Sequence, residues 1–254
     1  MQRKLLYYPS GGPVELPPAA AREGLREVDL TASDGVRLKA WDWPDRKPLT
    51  LLIFHGNAGN RGDRESWLHS LRKTGARIFI LDYRGFGGSE GSPTEEGIYR
   101  DAEAAVSWLA SQGAGPLVYV GESLGTGVAV ELAVRRPPAG LILQSAFTSA
   151  VDVGRHHYPF LPVGLLMTDR FDSIAKIDKV DCPVLSIHGE KDSLVPIDLG
   201  RRLFERVRGR KEWLSIPGAD HNDPFWIVDR RYGESVQRFL AGLSGGDPPA
   251  AEGR

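Results

Sequence analysis

The stretch Leu117–Val134, LVYVGESLGTGVAVELAV, changes character partway along. Four apolar, strand-favouring residues lead into Gly121-Glu122-Ser123-Leu124-Gly125, and a helix-like run opens directly behind them. A strand passing straight into a helix requires a tight turn. The pattern G-x-S-x-G at such a turn holds a serine hydroxyl proud of the backbone, while the small residues two positions before and after it let the flanking chain approach. The rival reading is a Gly-rich turn whose serine caps the helix. The strand before and the helix after favour a nucleophile turn centred on Ser123.

Working outward, the same alternation recurs. Strand-like runs are Leu25–Thr31, Val36–Trp43 after the turn Ser33-Asp34-Gly35, Leu49–Phe54, Ala76–Leu81, Leu117–Val120, Gly140–Gln144, Pro183–His188 and Glu212–Ile216. The later runs are almost continuously apolar, as parallel strands covered on both faces must be. Helical patterns lie between them at 62–73, 124–135, 197–208 and 226–241. A further one opens on Ser92-Pro93-Thr94-Glu95, a capping-box pattern with proline at the first helical position, and aligns Ile98, Ala102, Ala105, Val106 and Leu109. The expectation is an α/β fold: a doubly wound, mostly parallel sheet of about eight strands, with an antiparallel edge formed by the first two. Residues 1–24 read as an extended lead-in without chemistry, 25–242 as one domain, and 243–254 as a disordered tail. Residues 148–180 break the rhythm. They are rich in proline, aromatics and histidine, and read as a small cap inserted over the carboxyl end of the sheet, where ligands bind.

A serine hydroxyl needs a base, and the base needs an orienting acid. On this fold the order is Ser, then Asp or Glu, then His. VLSIHGEKDSLVP (184–196) places Asp192 in the loop leaving one predicted strand, and IPGADHNDP (216–224) places His221 in the loop leaving the last. Ser123, Asp192 and His221 are therefore read as a triad. His188 is read as holding the Asp192 loop, His156 and His157 as surface or lid residues, and His69 as solvated. Asp152 and Asp172 are the rival acids. The oxyanion of acyl transfer needs backbone N–H donors. Leu124 supplies one, and the Gly-rich turn His55-Gly56-Asn57-Ala58-Gly59-Asn60 offers the N–H of Asn57 as the second.

Composition removes other classes. The 254 residues carry 32 Lys+Arg and 33 Asp+Glu, a formal net charge of −1, and only short basic clusters such as Arg201-Arg202. No stripe stands ready to neutralise phosphates, so no nucleic-acid partner is expected. A single cysteine, Cys182, excludes a disulfide framework and a multi-Cys metal site and reads as a buried small hydrophobe. Phosphate-loop, dinucleotide and metal-ligand spacings are absent, so no cofactor and no metal is expected. No apolar run is long enough to cross a bilayer and no signal-peptide core opens the chain.

HGNAGN (55–60), LDYRGFGGSEGSPTEEG (81–97), VYVGESLGTGVA (118–129), DRFDSIAKI with DCPVLSIHGEKDSLVP (169–196) and PGADHND (217–223) occur in the order of one branch of the α/β-hydrolase superfamily. The chain resembles its small bacterial serine hydrolases, which are similar to eukaryotic α/β-hydrolase domain proteins of the protein-depalmitoylase and membrane-anchored types. The resemblance covers about residues 25–242. It implies Ser123 as nucleophile, Asp192 as acid, His221 as base, and Leu124 and Asn57 as oxyanion donors. Many relatives carry a membrane-spanning helix before a segment like Gln2–Pro9. The expectation is thus a soluble or cytoplasmic protein, peripheral to a membrane if a native N-terminal anchor was removed.

The activity expected is hydrolysis of carboxylic esters or thioesters of short to medium, small-molecule or lipid-like acyl substrates. The alternatives are an aminopeptidase or amidase on the same triad, with Asp169 and Asp172 receiving the amine, and a binding protein on the hydrolase scaffold without turnover. Epoxide hydrolase and dehalogenase chemistry is disfavoured, because it uses a carboxylate where Ser123 stands. Phe147, Tyr158, Phe160, Leu161, Leu165, Leu166 and Met167 either line the acyl pocket or pack. Monomer and dimer are both compatible with the sequence.

Overall fold

The computed structural model describes residues 3–223 and 229–244. Along the chain the strands are β1 (Tyr8–Pro9), β2 (Arg26–Thr31), β3 (Arg37–Trp43), β4 (Thr50–Phe54), β5 (Ala58–Gly59), β6 (Arg77–Leu81), β7 (Leu117–Glu122), β8 (Gly140–Gln144), β9 (Val184–Gly189) and β10 (Lys211–Ile216). The helices are α1 (Arg3–Leu6), α2 (Pro18–Arg22), α3 (Glu65–Arg72), α4 (Glu95–Ser111), α5 (Leu124–Arg135), α6 (Ala150–His157), α7 (Val163–Leu166), α8 (Ile197–Glu205) and α9 (Arg230–Ser244). Eight strands form one sheet in the order β10-β9-β8-β7-β4-β6-β3-β2. The hairpin of β2 and β3 is antiparallel, β3 joins β6 antiparallel, and every pairing from β6 across to β10 is parallel.

The two-residue period of a strand divides the core. In β4, Leu52 and Phe54 face the layer that holds α4 and α5, whereas Leu51 and Ile53 face the layer of α3 and α9. All five β4 residues are buried, and burying each large aliphatic or aromatic side chain is worth about 1.5–3 kcal/mol. The apolar stripe of α4 (Ile98, Ala102, Ala105, Leu109) lies against the first layer, with Val106 packed at its edge.

Three readings of the sequence are corrected. Helix α4 starts later than the Ser-Pro pattern suggests: its cap is Thr94, whose Oγ1 accepts the N–H of Gly97 at 3.0 Å. Glu95 does not reach back as a capping box requires. Its carboxylate instead accepts the backbone N–H groups of Arg170 and Phe171 in the cap, and a tertiary partner outweighs the local one. Residues 1–24 are not merely extended. Within them α1, β1 and α2 are ordered, β1 pairs in parallel with β5, and Tyr7 is buried, because the loop after β4 and the cap together supply hydrogen-bonding partners. Finally, the apolar residues of the insertion neither pack nor form a closed pocket as a set. Phe147 is in the core and Met167 packs at its margin, but Tyr158, Phe160, Leu161, Leu165 and Leu166 are exposed. The start of the predicted helix at 226–228 and the tail from 245 lie outside the described residues.

Candidate active site

Strand β7 delivers the chain to Ser123 and α5 carries it away. The turn forces Ser123 into φ 50°, ψ −116°, a region that costs a non-glycine residue of order 1–3 kcal/mol. Backbone contacts hold it there: its N–H donates to the Gln144 carbonyl at 2.9 Å, and its carbonyl accepts the Thr126 N–H at 2.9 Å and the Thr126 hydroxyl at 2.7 Å. The flanking glycines are a steric need. A Cβ on Gly121 would stand 2.5 Å from the carbonyl oxygen of Gly125, and a Cβ on Gly125 would run into the carbonyl of Phe54.

The structure brings the three distant side chains together. His221 Nε2 lies 3.0 Å from Ser123 Oγ, and its Nδ1 lies 2.8 and 2.9 Å from the two carboxylate oxygens of Asp192. Asp192 is buried in the turn after β9, where burial pushes its pKa up. Hydrogen bonds from His188 and His221, the charge of His221 and the N–H of Val195 outweigh burial, so the carboxyl titrates well below its usual range. His188 has the structural part expected of it. It is buried, its Nε2–H donates to the Val195 carbonyl at 2.9 Å and lies 3.4 Å from Asp192, and Gly200 leaves it room. Of the rival acids, Asp152 accepts the hydroxyl of Thr148 at 2.7 Å at the start of the cap.

Asp220 was not singled out by sequence. It accepts the N–H of Ser193 at 2.7 Å, the Ser193 hydroxyl at 2.8 Å and the N–H of His221 at 2.7 Å, thereby tying the acid loop to the base loop. These same donors hold its carboxyl below the ordinary value.

Leu124 is the first residue of α5, so its N–H is one of those a helix leaves without an internal acceptor. The Asn57 loop runs beside the serine: a Cβ on Gly56 would sit 3.6 Å from Ser123 Cβ. Two clamps fix this loop, and neither is visible in the sequence. On one side the Asn57 amide donates to the Leu6 carbonyl at 2.9 Å while the Asn57 carbonyl accepts the Tyr8 N–H at 2.8 Å. On the other, Glu122 accepts the Gly56 N–H and Arg64 Nε, each at 3.1 Å, and Arg64 also donates to the Ala58 carbonyl at 2.9 Å. Burial pushes the Glu122 pKa up, but the charge of Arg64 and the Gly56 N–H bring it below the usual value. The only available signal was Glu122 standing inside the G-x-S-x-G pattern; Arg64 had none.

Beneath the loop, the His55 ring meets those of Tyr83 and Phe86 at tilted angles, with its Nε2 3.2 Å from the buried Asp82, itself paired with Arg61. Tyr83 donates its hydroxyl to the His55 carbonyl at 2.8 Å. Among the described residues no group of His, Cys, Asp and Glu is arranged to hold a metal ion, and no helix is long and apolar enough to cross a membrane.

Comparison with known proteins agrees with this architecture. Residues 50–162 match the family described as alpha/beta hydrolase fold. The Arabidopsis thaliana alpha/beta hydrolase domain-containing protein WAV2 is 30% identical over 268 residues, a span covering 94% of this chain and 87% of that protein. The Danio rerio lysophosphatidylserine lipase ABHD12 is 40% identical over 177 residues, covering 61% of this chain and 46% of its own. Among solved structures, the Pyrococcus furiosus esterase Pf2001 superposes with a TM-score of 0.79 at 19% identity, covering 94% of this chain and 98% of that one. Its likeness speaks for the fold. With the sheet order, the turn at Ser123 and a relative matched over 87% of its length in agreement, the chain belongs to the α/β-hydrolase family.

Proposed function

We propose that this protein is a serine hydrolase cleaving carboxylic ester or thioester bonds of short to medium acyl substrates. The observation that carries the reading is the continuous chain Ser123 Oγ, His221 Nε2, His221 Nδ1, Asp192, with every link at 3.0 Å or less. In the reaction Ser123 Oγ attacks the acyl carbon as His221 takes its proton, and the oxyanion is received by the N–H groups of Leu124 and Asn57. The imidazolium returns its proton to the leaving alcohol or thiol, which departs and leaves an acyl-serine. Water, deprotonated by His221, then releases the acid and restores the hydroxyl. Asp192 holds the proton-bearing Nδ1 in place throughout.

The aminopeptidase reading is less favoured. It needs a carboxylate free to bind an amine, whereas Asp169 is largely buried and already accepts the Tyr7 hydroxyl at 3.1 Å and Arg3 Nε at 3.2 Å. The test is a chain-length series of p-nitrophenyl esters beside an acyl-thioester and amino-acid naphthylamides, with Ser123→Ala as control. Ester or thioester turnover that vanishes in Ser123→Ala supports the reading; wild-type rates in that variant, or faster cleavage of naphthylamides, overturn it.

A further inference from the structure

Every exposed large apolar side chain among the described residues falls in one of three short segments: residues 5–8, residues 158–166, and Leu194. Phe160 is 96% exposed and Leu165 89%, values near those of a free chain. Hydrogen bonds stitch the three segments together around Ser123. Arg3 and Tyr7 reach Asp169 in the second half of the cap, His157 Nε2–H donates to the Leu194 carbonyl at 2.8 Å, and the Leu194 N–H donates to Asp192. The Tyr8 N–H holds the carbonyl of Asn57. The apolar side chains therefore ring the rim above the serine rather than scattering over the molecule.

Charge sets the same rim apart. The chain has 33 Asp+Glu, yet none falls in residues 1–14 or 153–168. Those two stretches do carry Arg3 and Arg155, both exposed, and Arg170, also exposed, follows close behind. Large apolar and aromatic side chains standing in water, with no carboxylate among them, bordered by Arg3, Arg155 and Arg170 and with Asp152 and Asp169 only at the margins beside Arg155 and Arg3, match the chemistry of an anionic bilayer surface: acyl chains below, negative headgroups around. A self-association through this patch would bring the same cations face to face across a two-fold axis, which opposes it.

From this juxtaposition we infer that the cap segment 158–166 and the N-terminal segment 3–8 together form a docking surface for anionic lipid bilayers, with Phe160 and Leu165 inserting among the acyl chains. Docking in this orientation turns the Asn57 and Asp192 loops beside Ser123 toward the membrane.

The test is sedimentation of the full chain with vesicles of phosphatidylcholine, with and without phosphatidylglycerol. Wild type should co-sediment with the mixed vesicles, bind pure phosphatidylcholine more weakly, and lose part of its binding in high salt. Phe160→Ser and Leu165→Ser should each weaken binding on the order of tenfold or more. Both positions are solvent-exposed, so the variants should melt with wild type, and a melting scan verifies it. Ser123→Ala should bind like wild type, which separates this surface from the proposed chemistry. Wild type left in the supernatant with every vesicle, serine variants that bind undiminished, or a wild-type dimer in light scattering that Phe160→Ser converts to monomer would each overturn the inference.

Discussion

Glu122 accepts the backbone N–H of Gly56 at 3.1 Å, so the residue directly before the proposed nucleophile is bonded to the residue directly before Asn57. Arg64 completes the clamp by binding Glu122 and the Ala58 carbonyl at once. A transition-state donor is useful only if it is already in position when charge develops, because reorganisation during the reaction costs rate. Arg64→Met should therefore lower kcat for ester hydrolysis on the order of tenfold or more while leaving KM near wild type. Glu122→Gln, which retains an acceptor oxygen, should lose less. A rise in KM with unchanged kcat would refute the positioning role.

Removing the proposed nucleophile or base should cost far more. Ser123→Ala and His221→Ala should each reduce kcat by something on the order of 10⁶, and Asp192→Asn by less, because the imidazole remains and only its orientation and charge support are lost. Fluorophosphonate labelling followed by intact mass gives an independent check: one adduct on wild type, none on Ser123→Ala. Since the proposed mechanism has His221 accept a proton, turnover should be lost once acid protonates the imidazole, and activity undiminished in acid while the fold persists would count against it.

Asp192 also makes a prediction about stability against pH. Its folded pKa lies below the ordinary 3.8, so folding favours the ionised form. The stabilisation is complete above the unfolded value and is lost as pH falls through that value toward the folded one. The difference in melting temperature between wild type and Asp192→Asn should thus shrink as pH falls below about 4. A difference that keeps growing below about pH 4 would contradict the assignment.

The glycines of the nucleophile turn predict a folding defect. Gly125→Ala drives a methyl into the Phe54 carbonyl, backbone of a central strand that cannot yield locally. A loss of about 3 kcal/mol or more, at the upper end for overpacking, is expected. Gly113→Ala is a useful contrast: its Cβ would meet nothing, and the cost comes only from its φ of +64°. Thermal melts of the two should differ by several degrees.

The N-terminal segment offers a fifth measurement. Burial and the neighbouring Asp169 carboxylate push the Tyr7 phenol above its ordinary value, so it stays a donor across the working range. Tyr7→Phe removes that donor from a largely buried carboxylate and should cost about 1–3 kcal/mol, roughly 2–12 °C in melting temperature for a chain of this size. An unchanged melt would mean the segment is not docked in solution.

The strands were legible because an all-apolar run flanked by turn residues has few other places to go. The predicted Gly140–Gln144 matches β8, and Leu49–Phe54 differs from β4 by one residue. The start of α4 was misread by local logic, since Glu95 is taken by backbone donors 75 and 76 positions away. The lead-in was misread for the same reason: Tyr7 finds its partner 162 residues along the chain. The cap was read as pocket lining or packing, and no local pattern distinguishes either from an apolar surface left open.

By itself the sequence determined the α/β alternation, the tight turn at Ser123 and the order in which Asp192 and His221 follow. Periodicity, glycine spacing and strand ends are properties of neighbouring residues, which is why they can be read in one dimension. Only the tertiary structure decided that side chains 98 and 29 positions apart meet within 3.0 Å, and that Glu122, Arg64, Asp220 and Tyr8 hold the loops that bring them there. Parallel strands present their carboxyl ends along one edge. How far each loop then reaches is set by contacts between segments that the chain order keeps apart.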